Sequence, residues 1–286
     1  GAMFGDVGQG LVLFLGGLFL YKTKKMDLAG IISCAGVFSV FFGFMYGSFF
    51  GFEDVLKAIW LKPMNQMMDV PLVGRLNAVF VIAIGFGMFI ILICMVFNII
   101  NSIRRGDTEK TWFDSNAVAG LVFYGSIVLT IGLFISGKKL PAAAILVIMF
   151  GVPLLLMFLK EPLTNLVEKK SKILPEQKGM FFVQSFFELF EVLLSYLSNT
   201  LSFLRIGAFA VSHAAMMEVV LMLAGATNGG SPNWVVVVLG NIFVCAMEGL
   251  IVGIQVLRLE YYEIFSRFYA GNGREFKPFM KAAHKN

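Results

Sequence analysis

Of 286 residues, 58% are hydrophobic and 14% charged, with 31 Phe and 30 Gly. A soluble chain of this length needs far more charge to cover its surface, so a soluble enzyme is excluded and an integral membrane protein is expected. Two histidines and three cysteines scattered through apolar runs suggest neither a metal site nor a disulfide framework, and the formal charge of +5 is assigned to basic loops on one side of a membrane.

Gly1 and Ala2 read as a protease scar, or as the start of a chain cut within a helix. No basic stretch precedes the first apolar run, so no secretory leader is expected. A span needs about 20 apolar residues at ~1.5 Å rise to cross ~30 Å of hydrocarbon. Seven segments meet that need in chain order: 7–21, 28–50, 76–100, 116–136, 140–159 and two much longer stretches, 179–223 and 233–270. The expected fold class is therefore all-α and polytopic, with about seven spans, the last two long and strongly tilted. Between spans stand charged, Gly and Pro breakers such as Lys62-Pro63, Val70-Pro71, Glu161-Pro162 and the 228–232 run. Residues 54–62 are expected to form a short interfacial helix, and Gly43, Gly47 and Gly51, spaced by four, a tight helix-packing face.

Lys and Arg set the orientation. Segments 22–27, 101–115, 160–178 and 267–286 hold sixteen of the 23 basic residues; segments 51–75, 137–139 and 224–232 hold five. The richer side is expected to be cytoplasmic, which places the N-terminus outside and the C-terminus inside. Trp60, Trp112 and Trp234 fall at span ends, where interfacial belts put them. The two basic residues left over are Arg205 and Arg258, one deep inside each long stretch.

An arginine at a helix centre costs about 2.5–3.5 kcal/mol on insertion scales, so each needs a partner or water. On a helical wheel, Gln184, Glu188, Glu191, Ser195, Ser198, Ser202, Arg205, Ser212 and His213 share one face of about 120°. The same projection gathers Asn241, Glu248, Gln255, Arg258, Tyr262 and Ser266. Polar stripes on membrane helices face protein or a water-filled cavity. Some serines could simply bond helix to helix, but two stripes with one arginine each read as the wall of an aqueous ion path. The first five spans, with little polarity, read as scaffold. The division expected is 1–178 as scaffold, with 160–178 a cytoplasmic connector, and 179–286 as two ion-path helices with a cytoplasmic tail.

At these residues a family resemblance becomes specific. The run from Ser198 to Arg205, continuing through Ala210-Val-Ser-His213, resembles the signature of subunit a of V/A-type rotary ATPases, called subunit I in archaea and bacteria. So do Glu248-Gly249, Gln255-Val-Leu-Arg258, Tyr262-Glu263, Phe268-Tyr269 and the closing Gly271-x-Gly273…Phe276-Lys-Pro278-Phe279. Near the start, Met3-Phe4-Gly5-Asp6-Val7-Gly8-Gln9-Gly10 is similar to the family's MFGDxGxG motif, and the likeness spans essentially the whole chain.

The resemblance implies a non-catalytic stator subunit beside a rotating ring of c (proteolipid, K) subunits, with ATP chemistry on other subunits. Ions, H⁺ or Na⁺, would reach carboxylates on the ring through one half-channel and leave through another. Arg205 and Arg258 match the family's two arginines, and Glu191, Glu248 and His213 match positions used for conduction. By orientation, Glu188, Glu191, Ser195 and Ser198 would serve the cytoplasmic half-channel, and His213, Glu218, Glu248 and Gln255 the external one, while Ser202 belongs to the ion-translocation stripe with Arg205. A guanidinium about 4 Å from a carboxylate is worth ~4 kcal/mol at an effective dielectric of 20. That is about three pKa units, enough to drive off a proton, and arginine keeps its charge where lysine would not.

Gln255 stands where eukaryotic relatives often carry histidine. Relative to the family, the soluble domain that reaches the central and peripheral stalks and one preceding helix are missing upstream, so a piece with seven of eight spans is expected. Short loops suggest a prokaryotic cell membrane. The partners expected are the ring, the stalks through that missing domain, the ion and lipid, with no nucleic acid, cofactor or metal. A secondary transporter or channel with an intramembrane Arg/Glu network is the rival; it predicts internal repeats and centrally broken helices, and neither long stretch is expected to break centrally.

Overall fold

The computed structural model describes residues 1–52, 55–64, 67–70, 74–138, 141–167, 178–226, 232–269 and 271. The closing 272–286 motif and the 168–177 connector lie outside them. The expected apolar segments all form helices: α1 (Val7–Lys24), α2 (Asp27–Tyr46), α3 (Ala78–Arg105), α5 (Val118–Ile135), α6 (Ala143–Phe158), α8 (Lys178–Ser202) with α9 (Leu204–Leu223), and α10 (Trp234–Arg258). Two short helices, α4 (Thr108–Trp112) and α7 (Lys160–Val167), join them. The protein is an integral membrane protein of the all-α polytopic class. Five helical stretches among the described residues are long and apolar enough to cross a membrane: Asp27–Tyr46, Ala78–Arg105, Val118–Ile135, Gly179–Leu223 and Trp234–Phe268. The α6–α7 pair, bent by 73°, would be a sixth. The first expected span is helical too, as α1, but Gln9, Lys22 and Lys24 leave it less apolar.

Local chemistry explains the ends. Asp6, Asn77, Asp107 and Asn233 each accept a hydrogen bond from the first turn of the helix they precede. Helices α2 and α3 stop at Gly47 and Gly106, both left-handed. α1 and α2 form a hairpin with almost no space between backbones: a Cβ on Gly43 would lie 2.4 Å from Val7 N, and one on Gly36 2.5 Å from Phe14 N. The packing glycines are thus Gly10 and Gly17 on α1 with Gly36 and Gly43 on α2. Gly47 and Gly51, which the spacing placed on the same face, lie beyond the helix at φ +74 and +82 and serve the turn instead.

Two loop expectations change. Described residues 55–62 form no helix; Trp60 N donates to Met45 O at 3.1 Å, tying the segment across the end of α2. Beyond it, β1 (Met67–Val70) and β2 (Gly74–Asn77) pair antiparallel; the Pro71 breaker lies outside the described residues.

α3 is the central post. Met88, Ile91 and Met95 meet Phe123 and Tyr124 of α5, Met157 of α6, and Tyr196 and Phe203 of the α8–α9 stretch in one buried cluster. The outward faces of α2, α5, α6, α8 and α10 carry exposed Phe, Leu, Ile and Val, as surfaces that meet lipid or another apolar subunit do.

The two long stretches are irregular where the arginines lie. The first breaks at Phe203, between α8 and α9, where Phe203 N donates to Thr200 O and Ile206 N to Phe203 O, both i to i+3. Phe203 is 1% exposed and seated against Gly87, whose missing side chain makes room for the ring. The second runs from α10 into a π-helical segment, Leu259–Phe265, then a last short turn, α11 (Ser266–Phe268). The first stretch, expected to run unbroken, is interrupted at one turn residue, the buried Phe203, within an otherwise continuous apolar helical run, Gly179–Leu223.

Candidate functional site

Polar groups gather in three places along α8 to α11. Between α9 and α10, His213 Nδ1 and Glu248 Oε2 are 2.5 Å apart, with side chains 4% and 3% exposed. The ring of Phe4, from the N-terminal segment, covers the imidazole at 4.7 Å between centroids. His213 Nε2 and Glu248 Oε1 are buried without a partner among the described residues. Such groups are costly unless a water or a transferring proton serves them. A cavity of about 20 Å³, lined by Gly5, Ser48, Gly51, His213 and Met217 among others, adjoins the imidazole, room for about one water. Two turns towards the N-terminus of α10, Asn241 accepts from Gln9 Nε2 at 2.8 Å and donates to Val237 O at 2.9 Å. Gln9 also approaches Met217 Sδ at 3.2 Å.

Around Phe203, Arg205 Nη2 donates to Ser202 Oγ at 3.0 Å, and the Ser202 hydroxyl donates in turn to Glu263. Arg205 is half-buried and its Nη1 has no acceptor among the described residues. Arg258 is close enough for its charge to act on that of Arg205. Its side chain is exposed, on a face that also exposes Leu250, Ile254, Leu257 and Tyr261. Arg258, expected deep inside its stretch and in need of a partner or water, is covered by nothing on the neighbouring helices among the described residues.

The third place is an open cavity of about 360 Å³ where the start of α5, the start of α7, α8 and α11 meet. Its acids are Asp114, Glu188 and Glu191, its cations Lys160 and Arg267. Lys160 Nζ lies 2.8 Å from Glu188 Oε2, and Gln184 Nε2 donates to Glu188 at 3.1 Å. Arg267 donates to Asn116 Oδ1 at 3.0 Å and stands 5.8 Å from the centroid of the Tyr196 ring. Tyr196 in turn donates to Ser115 O.

Of the residues picked from the sequence, the structure brings Glu188 and Glu191 into the cavity, Ser202 and Arg205 into one hydrogen-bonded unit, and His213 and Glu248 into a pair. Gln255 is half-buried, with its Oε1 unpartnered among the described residues. Ser198 and Glu218 are exposed and join none of these groups.

The sequence reading missed Lys160, Asp114 and Arg267, counted with solvated loops, and Asn116, the first residue of an expected span. It also placed Tyr262 and Ser266 on the α10 stripe; the π-helical segment shifts the inward face by one residue. Leu259, Glu263 and Arg267 are buried at 5%, 5% and 6% exposure, while Tyr262 is 71% exposed. Asp6 and Gln9, within the MFGD run, were quoted as motif and not as polar contacts. Among the described residues, no group of acids, cysteines and histidines could hold a metal ion.

The sequence profile of the V-type ATPase 116 kDa subunit family matches residues 160–281, which contain all three polar groupings' contributions from α7 to α11. The chain is 27% identical to the A-type ATP synthase subunit I of Aeropyrum pernix over 96% of its own length and 44% of that protein. It is 25% identical to the subunit I of Methanocaldococcus jannaschii over 98% of its length and 43% of that protein. A shorter region, 32% of the chain, is 35% identical to 13% of the human V-type proton ATPase 116 kDa subunit a 3. The chain thus spans less than half the length of these relatives.

Proposed function

From the premise that the chain belongs to the V-type ATPase 116 kDa subunit family, which includes the A-type subunits I, we propose that it is the stator domain that carries ions past a rotor ring. The observation that carries this reading is Arg258: an exposed guanidinium on an apolar membrane face, beside the half-buried Arg205. Against lipid alone an arginine at this depth costs about 2.5–3.5 kcal/mol or more. A partner bearing carboxylates at the same depth removes that cost, and the ring of c (proteolipid) subunits is such a partner. The flanking Leu250, Ile254 and Leu257 supply a smooth apolar surface along which the partner can slide.

The polar groupings then have an order. The cavity with Glu188 and Glu191 is the cytoplasmic half-channel. Lys160 there pairs with Glu188 at the wall, while the exposed Glu191 exchanges the ion. The His213–Glu248 pair, with Gln255 on the same helix as Glu248, is the external half-channel, and Gln9 with Asn241 extends it to α1. Between them, Arg205 and Arg258 strip the ion from each arriving carboxylate and keep the two paths from joining. Ser198 and Glu218, being exposed, belong to the face opposite the ring or to the channel mouths. Residues 1–178 hold the ion-path helices in place, and also contribute Gln9, Asp114, Asn116 and Lys160 to the paths. The ion is H⁺ or Na⁺, and the basic-side count puts the C-terminus in the cytoplasm.

Cysteine cross-linking in the assembled complex tests this. Leu257→Cys, on the arginine face, should cross-link to cysteines placed near the ring's mid-membrane carboxylate, whereas Phe38→Cys, exposed on α2, should not. Equal cross-linking at both, or at neither, removes the assignment of the α10 face.

A further inference from the structure

Glu263 is a buried acid that no role above uses. It is 5% exposed; one carboxylate oxygen accepts the Ser202 hydroxyl and the other, Oε2, has no partner among the described residues. It lies within the π-helical segment Leu259–Phe265, whose widened turn puts Glu263 inside and leaves Glu260, Tyr261 and Tyr262 outside. On one side, through Ser202, is Arg205. On the other, four residues along, is the buried Arg267, whose Nε and Nη2 are also unpartnered among the described residues.

A guanidinium in an apolar bundle needs an anion nearby even when no rotor carboxylate stands opposite it. Glu248 is engaged by His213. The hydroxyl of Ser202 has one donor and two acceptor sites, so it can accept from Arg205 and donate to Glu263 at once. The link is therefore chemically complete while being one hydroxyl longer than a direct ion pair. Among the described residues Arg205 Nη1 has no acceptor and is available to an incoming group.

We propose that Glu263, acting through the Ser202 hydroxyl, is the standing counter-charge of Arg205, holding the guanidinium between rotor carboxylates and yielding it when one arrives. Glu263 is a positioning residue in this account: it sets where Arg205 rests and how firmly, and exchanges no ion itself. The indirect link matters, because a direct bidentate pair would compete too well with the incoming carboxylate. The inference rests on the stator reading above.

The test is ATP-driven ion uptake by vesicles holding the whole rotary complex, with assembly and ATP hydrolysis checked for every variant. Glu263→Gln keeps the volume and an acceptor for Ser202 and removes only the charge; Glu263→Asp keeps the charge and shortens the reach. A counter-charge predicts at least a tenfold loss of uptake for Gln and a smaller loss for Asp. It also predicts that adding Ser202→Ala to Glu263→Gln makes matters no worse, since both cut one link. Wild-type uptake with Gln, and impairment with Asp, would show a hydrogen-bonding role in packing and overturn the inference. Should Glu263→Gln fail to assemble, Ser202→Ala alone decides, a severalfold loss supporting the link and a wild-type rate refuting it. Arg205→Ala in the same series separates the two claims. If it abolishes uptake while Gln does not, only the counter-charge falls; if it leaves uptake intact, the stator reading falls and takes the counter-charge with it.

Discussion

Asp6 is fully buried and accepts from Gln9 N at 2.9 Å, Phe50 N at 3.0 Å, Gly51 N at 2.9 Å and the Ser48 hydroxyl at 2.6 Å. It caps α1 and pins the turn after α2 with the same two oxygens. Asp6→Ala would strand these donors where water is scarce, at about 1–3 kcal/mol each where no replacement is found. The expected result is a loss of several kcal/mol, seen as a large drop in the unfolding midpoint of the detergent-solubilised chain. The His213–Glu248 pair makes a different prediction. Replacing one partner leaves the other buried and uncompensated, whereas His213→Leu with Glu248→Leu removes both polar groups. The double variant should be more stable than the sum of the two single losses, measured by the same unfolding midpoint, while all three abolish ion uptake. Additive stability losses would mean that the two side chains do not compensate each other.

At the scale of elements, the hairpin of α1 and α2 depends on glycine where backbones touch. Gly43→Ala drives a Cβ to 2.4 Å from Val7 N, whereas at Gly85 on α3 nothing lies within 4 Å. Gly43→Ala should destabilise the chain by about 1–3 kcal/mol through overpacking, and Gly85→Ala should be neutral or slightly stabilising, as the higher helix propensity of alanine dictates. Limited proteolysis in detergent ranks the two. The helices themselves were readable from sequence because burial in lipid leaves an uninterrupted apolar record. The irregular turns were not, since neither the break at Phe203 nor the π-helical segment changes hydropathy. A wheel drawn at a constant angle therefore carried the stripe to Tyr262 and Ser266, one residue short of Glu263 and Arg267. Arg267 was hidden for a second reason. Counting charges at span ends treats each as solvated, and only the packing of α11 against Asn116 and Tyr196 shows that this one is not. The rival transporter reading shares the central break; it does not account for an exposed arginine on a smooth apolar face.

Taken whole, the molecule is a bundle around α3 with an open polar cavity lined by Glu188 and Glu191 and a buried His213–Glu248 pair, and Arg205 lies between Glu191 and His213 along the α8–α9 stretch. The basic-side count predicts that a tag at the C-terminus is cleaved by protease added to inside-out vesicles and protected in right-side-out ones; the reverse pattern would invert the two half-channel assignments. The arginines, the His213–Glu248 pair and Glu191 were all legible as charges where charge is expensive. Their grouping into separate cavities was not, because it depends on which helices pack together. The central claim is that ions pass Arg205 on their way to and from a rotor. ATP-driven ion uptake by vesicles carrying the full complex, wild type against Arg205→Ala at matched assembly, measures it most directly. The account predicts that uptake falls to background with Arg205→Ala while the complex stays intact; uptake at the wild-type rate would contradict it.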